Sequence, residues 1–295
     1  MITTLKNLVR AALPAPLHRA LTRRRRLHFT GPYRNWSAAR AAAGGYDDPA
    51  ILERMVASAR EVAAGRAAYE RDTVLFHEPA ADPLLLGELE TLALSRPRGL
   101  RVLDFGGALG STWFQHRAFL RKLPPVSWHI VEQPKIAARG RLEFSGSGLT
   151  FHDSLDSALD QGPPDLVLIS SVLQYLPDPW SALARLSALP AETWLITRTP
   201  FTDTLATDTI VVQHVPAAIY RASYSAWVFS TAAFEDFWTR RSASLTWHPC
   251  TGGRFTDAGV IQSYRTARIR SAPGDNFSSP SSPTPRIKLP IVIPC

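Results

Sequence analysis

The run Val102-Leu103-Asp104-Phe105-Gly106-Gly107-Ala108-Leu109-Gly110-Ser111 sets a carboxylate and three glycines between an apolar strand and the start of a helix. Glycine lets the main chain turn sharply and lets a ligand press against it, so a phosphate, a nucleoside or an amino-acid carboxylate can use such a turn. The dinucleotide fingerprint needs glycines at its first, third and sixth positions, and no register of Gly106 to Ser111 supplies them. A phosphate-binding loop closes on Gly-Lys-Ser or Gly-Lys-Thr, whereas Gly110 is followed by Ser111-Thr112-Trp113. The next apolar strand ends at Val131-Glu132, where a carboxylate accepts hydrogen bonds from both hydroxyls of a ribose. Together these features favour a nucleoside held without a pyrophosphate cradle.

This combination resembles the class I S-adenosylmethionine-dependent methyltransferases, whose first motif is an apolar strand, an acidic residue and Gly-x-Gly-x-Gly. Gly106 and Gly110 match the outer glycines, and Ala108 stands in place of the middle one. The resemblance implies that Asp104, Gly106, Gly107 and Gly110 border the cofactor and that Glu132 holds its ribose. It also implies that Asp153, in Phe151-His152-Asp153-Ser154, faces the adenine amino group. Ser170 falls in the segment Asp165 to Pro179, which looks like the fourth-strand motif bordering both cofactor and acceptor. More narrowly, the chain is similar to a little-characterised family of methyltransferases associated with bacterial surface-polysaccharide biosynthesis. The similarity runs from about Gly31 to Arg241. It rests on ordered blocks such as Gly44-Gly45-Tyr46-Asp47, Tyr69-Glu70-Arg71-Asp72, Val131-Glu132-Gln133-Pro134, Arg198-Thr199-Pro200-Phe201, Gln213-His214-Val215-Pro216 and Tyr224-Ser225-Ala226-Trp227. It implies S-adenosyl-L-methionine as cofactor and a small-molecule or saccharide acceptor methylated on oxygen.

Methyl transfer from a sulfonium is an in-line displacement with a good leaving group, so the protein's main task is to align the acceptor behind the methyl carbon. An acceptor hydroxyl also needs a base. Histidine titrates near neutrality, and His214 lies beyond the fifth strand on the expected acceptor side, which makes it the candidate; His152 is a weaker one. Gln174, Tyr175 and Tyr224 are candidates to orient the acceptor, and Arg198 to meet a phosphate or carboxylate on it. Each has a structural alternative: Asp104 capping backbone donors, Asp153 capping the next helix, Ser170 ending its strand, Tyr175 packing in the core.

The elements that must position these residues follow from apolar periodicity. Strands are expected at Arg101 to Phe105, Trp128 to Val131, Leu149 to Phe151, Asp165 to Ile169 and Thr193 to Thr197. Helices are expected near Ser111 to Lys122, Pro134 to Phe144 and Pro179 to Leu189. Strands alternating with helices imply parallel βαβ units and ligand binding at the strand ends. The expected fold is therefore α/β, a Rossmann-like doubly wound sheet of seven strands, over residues 99–264. Residues 47–98 read as a helical cap, 1–46 as a basic arm and 265–295 as a disordered Pro/Ser-rich tail.

Composition bounds the rest. The 295 residues carry a net charge of +8, but residues 1–46 hold nine basic residues and no acid, and the body between the two ends is mildly acidic. A nucleic-acid groove across the body is thereby disfavoured. Two cysteines, Cys250 and Cys295, fit neither a zinc site nor a disulfide scaffold, so no metal is expected and a reducing, cytoplasmic setting fits. The arm reads as a solvated basic segment in preference to one resting on an anionic inner-membrane leaflet, since Pro14 and Pro16 interrupt its helical pattern. Two rivals share the pattern. An NAD(P)-linked sugar oxidoreductase or epimerase would carry a Tyr-x-x-x-Lys pair, which is absent, and a membrane-associated scaffold would need only the arm.

Overall fold

The computed structural model describes residues 28–44, 49–96, 98–215, 222–257 and 260–271. In chain order, β1 (His28–Tyr33) and α1 (Trp36–Ala42) lead into α2 (Pro49–Ala63), the hairpin β2 (Tyr69–Arg71) and β3 (Val74–Phe76), and α3 (Pro83–Leu94). An alternating series follows: β4 (Leu100–Phe105), α4 (Ser111–Leu120), β5 (Val126–Val131), α5 (Pro134–Glu143), β6 (Leu149–His152), α6 (Leu155–Leu159) and β7 (Leu166–Ser170). A 3-10 turn (Leu173–Tyr175), α7 (Pro179–Ser187) and β8 (Thr193–Thr202) complete the series. The chain then forms β9 (Thr209–His214), β10 (Ser223–Ser230), α8 (Thr231–Thr239), β11 (Ser244–Asp257) and β12 (Val260–Arg270).

Hydrogen bonds join ten of these strands into one sheet. Seven run in the order β6-β5-β4-β7-β8-β12-β11, and β12 alone runs opposite to the other six. The order reverses between β4 and its two partners, so the C-terminal ends of β4, β5 and β7 open a crevice, the usual ligand position in such sheets. Alternation along β4 divides the core into two layers. Leu103 and Phe105 face one cluster with Val167, Ile169, Trp194 and Phe201, and Leu100 and Val102 face the other with Leu89, Trp113, Trp128 and Leu195. Each such fully buried apolar side chain contributes roughly 1.5–3 kcal/mol, so β4 is anchored from both sides. The helices start at sequence-encoded signals: Asp82 and Asp178 cap the amides of Leu85 and Ser181, with Pro83 and Pro179 at the first helical position.

The α/β Rossmann-like reading holds, while the strand count, the extents of the arm and the tail, and the wholly helical reading of the cap need correction. The three strands beyond the expected seven, β1, β9 and β10, form an antiparallel group joined to β8 through Phe229 and Ser230. β1 belongs to the stretch read as a basic arm. It is part of the fold because Phe29 is buried and the strand pairs with β9. The cap is not wholly helical, since β2 and β3 interrupt it. The presumed tail begins too early at 265: β12 continues to Arg270, paired to Thr193, and Arg268 and Arg270 both ion-pair with the buried Glu88 of α3 at 2.9 Å. These arginines belong to the fold because they neutralise a buried carboxylate. Most of the expected basic arm, 1–27, and of the tail, 272–295, lies outside the described residues. Among the described residues no helix is long and apolar enough to cross a membrane, and no metal-binding group of side chains is present.

Candidate active site

The glycine turn joins β4 to α4 through backbone angles that side chains resist. Gly106 has φ +77° and Gly110 has φ +91°, and Ala108 between them has φ +51°, left-handed without glycine's freedom. The tightness has a local cause. A Cβ on Gly106 would lie 2.6 Å from Val172 Cγ2, and one on Gly107 would lie 2.5 Å from Asp104 Oδ2. The turn is therefore folded over the Asp104 carboxylate.

Asp104 is buried, and its Oδ2 accepts from the indole Nε1 of Trp128 on β5 at 3.0 Å. Burial raises its pKa to about 7, opposed by the Trp128 bond and by Arg198. Glu132, just past β5, is also fully buried rather than turned to solvent. Its Oε2 accepts from the Gln133 amide at 2.6 Å. Burial raises its pKa to about 8 against the amides of Gln133 and Ala108, while Asp104 adds to the rise. Asp104 Oδ1, Glu132 Oε1 and Gln133 Nε2 are all buried with no hydrogen-bond partner among the described residues. Leaving such groups unpaired costs about 1–3 kcal/mol each, which a ligand bearing hydroxyls and an ammonium group would relieve.

A cleft of about 410 Å³ opens above the turn, lined by Asp104, Gly106, Gly107, Ala108, Ser111, Thr112, Ser170, Arg198, Glu70 and Arg71. A second space of about 480 Å³ shares six of these residues and extends between α3 and α4 to Asp82, Gln115 and His116. The outer wall is the β2–β3 hairpin. Ser111, at the start of α4, donates its hydroxyl to Glu70 Oε1, and the Thr73 amide donates to Glu70 Oε2 at 3.1 Å. The hairpin loop, Asp72 and Thr73, has positive φ at both residues and turns inward: Asp72 Oδ1 is buried without a partner, and burial raises this carboxyl to about 7. Burial likewise raises the Glu70 pKa.

The structure thus brings Asp104, Gly106, Gly107, Ser170 and Arg198 to the cleft, whereas Glu132, buried beneath the turn, and Gly110, capping α4, line neither space. It places the others elsewhere. Asp153 is exposed and pairs with Arg141 at 3.3 Å, and Ser154, not Asp153, caps α6. Gln174 is buried, donating to Ser171 Oγ and to the Arg198 carbonyl. Tyr175 donates to Gln213 Oε1 at 3.0 Å and meets Tyr224 edge to face, which ties the 3-10 turn to β9 and β10; none of the three lines either space. His214 lies on β9, its Nε2 2.9 Å from Thr30 Oγ1 and its ring stacked on His28, and does not line either space. His152 belongs to a separate group with His129 and Arg101. Glu70, Arg71, Ser111 and Thr112 were not singled out from sequence as site residues. The charged block Tyr69-Glu70-Arg71-Asp72 was the available signal.

No model of a known protein family matches the chain, and no curated protein does. Among solved structures, the fold is similar to the N-terminal domain of EvdMO1 in the presence of SAH and D-fucose: 17% identity, 76% of this chain, 100% of that chain, TM-score 0.44. It is similar to SAM-bound CalS10, an amino pentose methyltransferase from Micromonospora echinaspora: 14% identity, 64% and 91% coverage, TM-score 0.40. It is also similar to the O-methyltransferase TomG from Streptomyces achromogenes in complex with SAM: 14% identity, 81% and 100% coverage, TM-score 0.37. The fold class stated above rests on this chain's own strand order.

Proposed function

We propose that the protein is an S-adenosylmethionine-dependent methyltransferase acting on oxygen of a sugar or saccharide intermediate. The observation that carries the cofactor is Glu132: a fully buried carboxylate behind the glycine turn with one oxygen left without a partner, suited to ribose hydroxyls. The charged side chains that line the cleft are Glu70 and Asp104 with Arg71 and Arg198. When bound, the cofactor would supply an electrophilic methyl group on a sulfonium. Glu132 would hold the ribose, the turn at 106–110 would seat the nucleoside, and the hairpin carrying Glu70 would shield the cleft from water. The saccharide acceptor rests on the sequence resemblance, and the assignment of the acceptor's proton to His214 rests only on its place in the chain beyond the parallel strands, since it lines neither space.

Incubation with methyl-labelled S-adenosylmethionine and a panel of nucleotide sugars and lipid-linked saccharides tests the whole reading; label should appear in a saccharide product. Calorimetry should detect S-adenosylhomocysteine and not NAD(P)H, and Glu132→Ala should weaken that binding at least about tenfold. His214→Ala should spare binding and slow transfer. Normal turnover of that variant removes the base assignment.

A further inference from the structure

The cleft and the second space meet along six residues, Glu70, Arg71, Ser111, Thr112, Ser170 and Arg198, which line both. Arg198 reaches this junction through a β-bulge: Thr197 and Arg198 of β8 stand together against the single Thr266 of β12. Only the cleft holds the glycine turn, and only the second space runs on between α3 and α4 to Asp82, Gln115 and His116. With a nucleoside seated at the turn, the second space is left for the acceptor, and these polar side chains suit hydroxyl groups. An in-line displacement sets the attacking oxygen, the methyl carbon and the leaving sulfur in one row, so the reaction belongs where the two spaces join. A base for the attacking hydroxyl must reach that junction.

Among the described residues that line either space, the carboxylates and imidazoles are Glu70, Asp82, Asp104 and His116. Asp104 borders only the cleft, under the turn, and accepts from Trp128. Asp82 borders only the second space, and its Oδ1 caps the Leu85 amide at 3.1 Å. His116 also borders only the second space, and both ring nitrogens are engaged: Nδ1 lies 3.0 Å from the Thr112 carbonyl, and Nε2 accepts from the Asp82 amide at 3.4 Å. Glu70 alone borders both. The Ser111 hydroxyl and the Thr73 amide each fix one of its oxygens, and a carboxylate oxygen keeps a second lone pair for a further donor. Burial raises its pKa, in the direction of a base that works near neutral pH, against those two bonds, Arg198 from β8 and Arg71 beside it. Asp72 in the hairpin loop is coupled to it, while α2, packed on the same strand, commits Arg60 to Glu143 and Glu61 to Arg66.

We propose that Glu70 is the general base of the transfer, taking the proton of the acceptor hydroxyl in place of His214, which lines neither space. The inference rests on the methyltransferase reading above. The acceptor oxygen bonds to the methyl carbon as the carbon–sulfur bond breaks and leaves its electron pair on sulfur. The hydroxyl proton passes to the Glu70 carboxylate and from there to water. On the full chain, with a saccharide of the panel that takes label, Glu70→Gln should lower turnover by about 100- to 10,000-fold. Calorimetry should find its affinity for S-adenosylhomocysteine within about threefold of the unmodified protein's. Turnover of the unmodified protein should fall along an acidic limb lying above the ordinary glutamate value of about 4.3, and Glu70→Gln should lose that limb. Infrared difference spectra between the two proteins, without ligand, should show a carboxyl band titrating above that value as well. Should Glu70→Gln fail to melt cooperatively, Ser111→Ala decides: it removes a bond that favours the charged carboxylate, so the limb should move to higher pH. Normal turnover of Glu70→Gln, equal losses of turnover and of S-adenosylhomocysteine affinity, no such carboxyl band, or an unmoved limb in Ser111→Ala each overturn Glu70 as base and leave the methyltransferase reading standing. An unmodified protein that labels no saccharide overturns the saccharide reading and this inference with it.

Discussion

Ser111, the first residue of α4, donates its hydroxyl to Glu70, forty-one residues earlier on the β2–β3 hairpin. The bond fastens a two-stranded flap, which among the described residues has no strand partner in the main sheet, to the helix that opens after the glycine turn. Glu70 is largely buried, so removing the hydroxyl strands a carboxylate oxygen with burial already raising its pKa. Ser111→Ala should therefore destabilise the protein by about 1–3 kcal/mol in urea unfolding. Glu70→Gln combined with Ser111→Ala should cost clearly less than the two separate losses added together. Additive losses would show that the two residues do not interact in solution.

The parallel core was legible in sequence because its strands are short apolar runs separated by helices, and the structure shifts their ends by only a few residues. The glycine turn and Glu132 were legible for the same reason: they sit where such strands end. The hairpin was not. Its loop is Asp72-Thr73, with neither glycine nor asparagine at two positions of positive φ, so the usual turn signal is missing and three-residue strands carry too little alternation. Arg198 was visible as a charge but not in its aim, because a bulge depends on register with β12, which lies more than sixty residues away. Asp153 misled because the residue after a strand has the same sequence appearance whether it faces a ligand or, as here, an arginine on the surface.

Ala108 occupies a left-handed position at φ +51° where glycine carries no penalty. Ala108→Gly should raise stability by about 0.5–1 kcal/mol, or about 1–3 °C in melting temperature for a chain of this size. The relief is partly offset by the greater freedom glycine gives the unfolded chain. A lowered melting temperature would mean that the methyl packs favourably enough to outweigh its backbone strain.

The buried carboxylates make a signed prediction about pH. Asp104 and Glu132 have folded pKa values of about 7 and about 8, both raised by burial above their ordinary values. A carboxyl group raised on folding contributes stability that is present below its unfolded pKa and is lost as pH climbs through the folded value. His129 acts in the opposite direction: burial, with Arg101 and His152, lowers it to about 4, so its contribution is lost as pH falls from about 6.5 toward 4. Between pH 6.5 and 8 the carboxylates therefore dominate, and unfolding free energy without cofactor should fall across that interval. Glu132→Gln should flatten the fall by roughly 1–3 kcal/mol, measured by urea unfolding at both pH values. An unchanged slope in this variant would mean that Glu132 titrates normally in solution.

Gly106 separates steric need from ligand need. A Cβ there would lie 2.6 and 2.8 Å from Val172 Cγ2 and Cβ, and the residue has φ +77°. Gly106→Ala should thus cost about 2–4 kcal/mol, from overpacking together with left-handed strain. Adding Val172→Ala removes both γ-methyl groups and leaves only the Cβ at 2.8 Å, so the double variant should recover part of the loss while keeping the backbone penalty and that one close contact. Cofactor affinity then decides what the glycine is for. Recovered stability with S-adenosylhomocysteine binding still weak would mean that the bare Cα is needed against the ligand. Recovery of both would mean that Gly106 serves the packing of Val172 alone, and that the seat for the nucleoside is made by the residues that follow it.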